Sequence, residues 1–108
     1  MIISFDTREL QQCCSNLAIA EHELGIPHAQ SLMAMIADAE AFDNAEQLFS
    51  FHDKAAQVSE GDSLKIIVGG GYTAEFVAVG IQFRRHDNGR VDWASVQRLK
   101  LLKLMRLQ

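Results

Sequence analysis

The 108-residue sequence predicts an α+β fold in which a pair of N-terminal helices packs on an antiparallel sheet. Three observations carry this. Apolar residues recur at three- and four-residue steps through the first forty positions, the helical period. Beyond residue 63 the pattern changes to short runs rich in β-branched and aromatic residues, punctuated by glycine. Residues are 48% hydrophobic and 22% charged, the balance of a folded chain and not a disordered one. At this length two domains would each be too small to bury a core, so 1–108 reads as one domain. No apolar run reaches the roughly 18 to 20 residues of a membrane span, and Met1–Phe5 has no basic leader, so the expected location is the cytoplasm.

Met1–Phe5 (MIISF) suits a buried strand. Asp6 and Glu9 have capping-box spacing, opening a helix over about Thr7–His22 with Leu10, Cys14, Leu17 and Ala18 facing inward. Gly25 can take the left-handed conformation that ends a helix, and Pro27 fits the first turn of the next. That helix turns Ala29, Leu32, Met33, Ile36 and Ala37 inward and forms a hairpin with the first. Asp43 and Glu46 repeat the capping spacing, so a short helical segment is expected near 44–50, or a kinked continuation. Leu64–Val68 and Tyr72–Val79 read as a β-hairpin across Gly69-Gly70-Gly71. Gly80 interrupts the pattern, Ile81-Gln82-Phe83 resumes it, and Asp87-Asn88-Gly89 signals a turn. Val91–Gln108 fits neither a clean 2.0 nor a clean 3.6 period, which leaves helix and strand open. The element order is β-αα-βββ.

Adjacent Cys13 and Cys14 cannot form an ordinary disulfide, and His22, His28, His52 and His86 show no metal-ligand spacing. No metal or cofactor is expected. The net charge of −4 hides a split: residues 84–108 carry +5 and residues 1–83 carry −9. The basic end therefore either meets a polyanion or acidic protein, or is attracted to the acidic part of its own chain.

The opening Ile3-Ser4-Phe5 before a capped helix, the Leu24-Gly25 break, the Leu32–Phe42 helix, and Asp87-Asn88-Gly89-Arg90-Val91-Asp92-Trp93 leading into Val96–Leu102 together resemble the RelE/ParE/HigB superfamily of bacterial toxins. The resemblance spans almost the whole chain and implies a helix hairpin on a curved antiparallel sheet, with 95–105 as a strand. It also implies one toxin of a toxin–antitoxin module that cleaves mRNA on the ribosome without a metal. Alternatives are a gyrase inhibitor of the ParE kind and a non-enzymatic interaction module. An acidic or helix-turn-helix antitoxin is the implied partner.

The chain departs from the family at three places. Phe51-His52-Asp53-Lys54-Ala55 stands where members carry a basic H-P-L-K-G-D stretch, Thr73 stands where the tyrosine of the hairpin is followed by arginine, and Arg106-Leu107-Gln108 offers no tyrosine or histidine past the last strand. Metal-free RNA cleavage needs a base for the 2′-hydroxyl proton, cations for the phosphorane and an acid for the leaving oxygen. The candidates are His52, Lys54 and Arg98 for catalysis, and Arg84, Arg85, His86, Lys100, Lys103 and Tyr72 for RNA binding. Each has a plainer reading. His52, Lys54 and the Arg84–His86 cluster suit a solvated loop or turn; Arg98, Lys100 and Lys103 suit an edge strand kept soluble; Tyr72 and Trp93 suit packing.

Overall fold

In the computed structural model, which describes residues 1–59 and 62–107, the fold is α+β, with four helices on one face of a five-stranded mixed sheet. Gln108, the last position of the stretch compared with the family's C-terminal tyrosine or histidine, lies outside the described residues. The elements are β1 (Ile2–Phe5), α1 (Arg8–Ser15), α2 (Leu17–Leu24), α3 (Ile26–Ala41), α4 (Ala45–His52), β2 (Ala56–Val58), β3 (Ser63–Val68), β4 (Tyr72–Ala78) and β5 (Arg98–Arg106). The sheet order is β1-β5-β4-β3-β2, with β1 parallel to β5 and the other pairs antiparallel.

Four expectations are corrected. The sheet is mixed, not antiparallel: β1 and β5 come from opposite ends of the chain, and no local turn fixes their relative direction. The first helix breaks at Asn16, whose extended backbone ends α1 and whose side chain accepts the Ile19 N–H at 3.2 Å, starting α2. An asparagine that supplies its own hydrogen bond competes with an unbroken helix. The helical layer is consequently more than a two-helix hairpin. Ile81–Phe83 is not a strand, and three-residue β2, too short to show a period, is one.

The caps fall one position from those expected. Thr7 Oγ1 accepts the Leu10 N–H at 3.1 Å, and Asn44 Oδ1 accepts the Gln47 N–H at 3.0 Å while Gln47 Oε1 accepts the Asp43 N–H at 2.8 Å. The second arrangement is reciprocal, as in a capping box. It makes α4 a separate helix from α3, which ends where Phe42 turns extended. Gly25, with φ of +88°, ends α2 and lets α3 begin with Pro27 in its first turn.

The helices cover the sheet face formed by Leu64, Ile66, Ala74, Phe76, Leu99 and Leu101, all fully buried with Leu32 and Leu48. Trp93 and Val96 close the same core, and the Ala45 N–H donates to the Val96 carbonyl at 2.9 Å. Cys13 and Cys14 are buried free thiols; burial, with Cys13 alongside, pushes the Cys14 thiol up to about 12. Among the described residues, the opposite face carries no helix.

One irregularity decides where the charges of β5 point. The β4–β5 register shifts between Glu75 and Phe76: Phe76 pairs with Leu101 and Glu75 with Lys103, so Leu102 is an extra, bulged residue. Before it, Arg98 and Lys100 lie on the open face and Leu99 and Leu101 on the core face. After it the parity is reversed. Lys103 and Met105 take the open face, while Leu104 and Arg106 join the helix side opposite Ala74 and Tyr72.

Candidate functional site

Three cations of the basic end are paired with acids from the beginning and middle of the chain. Lys100 Nζ lies 3.8 Å from Asp6, Lys103 Nζ 3.9 Å from Glu75, and the Arg85 guanidinium 2.9 Å from Asp62. Arg85 holds the Asp62 carboxyl below the usual carboxylate range, helped by the Val91 N–H. His86 Nε2 stands 4.0 Å from Asp92, and Arg90 donates to the Ser59 carbonyl at 3.1 Å. Such surface pairs contribute at most about 1 kcal/mol each, but they occupy the cations. Among the described residues, the C-terminal cations without an acidic partner are Arg84, Arg90, Arg98 and Arg106, and of these Arg90 is taken up by the Ser59 carbonyl.

The three residues expected to be catalytic are not brought together. His52 ends α4 and Lys54 lies in the following helical turn, beside β2. Ala56 at the start of β2 shares a cross-strand row with Ile66, Ala74 and Leu104. Arg98 is therefore three strands away, about 14 Å, and roughly 15–20 Å further along β5. His52 Nε2 is buried with no hydrogen-bond partner, and burial lowers the imidazole pKa more than Asp38 raises it. Lys54 is exposed. Thr73, at the position compared with the family arginine, is buried on the open face between Ile67 and Met105.

Two places gather free cations instead. Arg84 and Arg98 share a cleft of about 670 Å³ lined by residues 79–84 on one side and by Ala94, Ser95, Gln97 and Arg98 on the other. Ser95 secures it by accepting the Arg84 backbone N–H at 2.7 Å and donating to the Asp92 carbonyl at 2.6 Å. The second place is the far end of the sheet. Tyr72 and Arg106 are cross-strand partners on the helix side, and the His28 ring from the first turn of α3 meets the Tyr72 ring edge-on, with centroids 5.4 Å apart. A side chain at Gly71 would overlap the His28 imidazole, so glycine is what admits that ring.

Of the residues expected to bind RNA, Tyr72 falls in the second place and Arg84 in the first, while Arg85, His86, Lys100 and Lys103 lie beside acids. Sequence reasoning did not select His28 or Arg106. The glycine before Tyr72, the last of the three in the turn, was their one available signal, since a glycine at a strand end can mark a close approach; Arg106 reaches Tyr72's face only because of the Leu102 bulge. No family model, curated protein or solved structure matches the chain.

Proposed function

We propose that the chain is a toxin-like protein that cleaves mRNA on the ribosome without a metal, as the RelE/ParE/HigB resemblance implies, and that its reacting groups are His28, Tyr72 and Arg106. The observation that carries the reading is the contact of the His28 and Tyr72 rings at the end of the sheet where Arg106 is the cross-strand partner of Tyr72. They supply the kinds of group the chemistry requires. His28 takes the 2′-hydroxyl proton as that oxygen attacks the neighbouring phosphorus, and returns a proton to the departing 5′-oxygen. Arg106 neutralises the charge that builds on the phosphorane, and Tyr72 offers a ring on which a base stacks.

In a translating extract the protein is expected to cut mRNA, with chelator present or absent. His28→Ala and Arg106→Ala should each slow cleavage about 10²-fold or more, the ordinary contribution of a positioned proton-transfer group or charge stabiliser. Intact mRNA at high protein concentration rules the reading out. A second reading, a non-enzymatic module bound to an antitoxin or other partner, is favoured by the neutralisation of Arg85, Lys100 and Lys103. It gives a stable complex with a neighbouring gene product and no RNA cleavage; gyrase inhibition would show as lost supercoiling with mRNA untouched.

A further inference from the structure

Residues Ile81-Gln82-Phe83 have the composition of a strand, yet the chain gives them no partner. The last backbone hydrogen bond along β4 is from the Val79 N–H to the Arg98 carbonyl, and pairing resumes only where the Asp92 N–H donates to the Arg84 carbonyl. Between them, the peptide groups of Gly80 to Phe83 make no hydrogen bond to the described residues. They form one wall of the cleft, and Ile81 is 99% exposed. A run of unpaired peptide groups beside an exposed aliphatic side chain is the arrangement that receives an added strand.

We propose that this cleft binds an extended acidic segment of a partner protein, which pairs its backbone with Gln82–Phe83, past the bend at Gly80–Ile81, and sets carboxylates against Arg84 and Arg98. The charge argument identifies the occupant. Both arginines lack an acidic partner among the described residues, and no carboxylate lines the cleft. A second copy of this chain would bring the same two arginines against each other. RNA fits less well, because it would leave these peptide groups unpaired, and Phe83, among the described residues the one aromatic ring lining the cleft, is half-buried with the Arg85 guanidinium over its ring at 5.6 Å. The proposal does not depend on RNA cleavage, since the cleft and the His28–Tyr72–Arg106 group occupy opposite ends of β5.

The test uses the full chain and a fluorescein-labelled peptide of alternating glutamate and valine, read by fluorescence anisotropy. Binding is expected at least tenfold tighter than for the peptide with glutamine in place of glutamate. The same acidic peptide N-methylated at alternate residues, which removes donors without touching the protein, should also lose at least tenfold. Arg84→Gln/Arg98→Gln should weaken the acidic peptide about tenfold while Arg8→Gln leaves it unchanged. Bound peptide should slow amide exchange at residues 82–83. Equal binding of the acidic and neutral peptides, no slowing at 82–83, dimerisation of the free chain through this segment, or tighter binding of an oligouridylate at the same site each overturn it.

Discussion

Gly71 ties the local fold to the proposed reacting group. Its backbone has no left-handed φ that would demand glycine; the requirement is steric, because a methyl there would occupy the space of the His28 imidazole. Gly71→Ala must displace either the ring or the turn, and forcing extra volume into a packed contact costs about 1–3 kcal/mol. We expect a loss of stability in that range on denaturant unfolding. The cause can be isolated by a double-mutant cycle: His28→Ala removes the obstructing ring, so Gly71→Ala made in that background should cost markedly less. Additive effects would show that the glycine is required for some other reason. The same variants separate packing from chemistry, since Gly71→Ala should reduce RNA cleavage even where the protein remains folded.

At the scale of elements, β5 shows where sequence pattern is informative and where it stops. Leu99, Leu101, Leu102, Leu104 and Met105 fit no single period because the strand carries two periods in opposite phase, joined at Leu102. A bulge is invisible to a periodicity that assumes uniform alternation. This predicts that deleting Leu102 is tolerated. Leu101 and Lys103 would then follow each other in the register they already have, Leu104 and Arg106 would keep the core side, and only a half-buried side chain would be lost. The deletion variant should retain its circular dichroism and melt cooperatively within several degrees of the wild type. A variant that fails to fold would show the bulge to lie elsewhere. The β3–β4 hairpin was legible because Gly69-Gly70-Gly71 separates two β-rich runs, and α3 because Gly25 and Pro27 bracket its start. The pairing of β1 with β5 was not legible, since only packing across the whole chain determines it. The proposed site shares that cause: His28, Tyr72 and Arg106 are joined by register and a bulge, whereas His52 and Lys54 lie together beside β2 and Arg98 lies three strands away at the other end of the sheet.

For the molecule as a whole, the split between an acidic beginning and a basic end is in part an internal attraction, carried by Asp6, Glu75 and Asp62. Apart from Arg90, which donates to the Ser59 carbonyl, the cations without an acidic partner among the described residues sit at the two ends of β5, with Arg84 and Arg98 at one and Arg106 at the other. Two groups whose folded pKa values are lowered, His52 by burial and Asp62 by Arg85, tie the fold's stability to pH. A group with a depressed folded pKa stabilises the fold above its unfolded pKa, and that stabilisation is lost as pH falls through the folded value. His52 therefore withdraws stability below about 6.5, where its unfolded counterpart begins to take up a proton. Protonation in the fold places a charge on a ring whose Nε2 is buried and has no acceptor. Asp62 acts in a second, lower window, below about 3.9, where protonation releases Arg85 and loosens the loop it anchors. Melting temperature against pH should thus fall in two steps. His52→Gln should remove the upper step and Asp62→Asn the lower, each leaving the other in place. A single step shared by both variants would mean that acid unfolding is governed by groups other than these two.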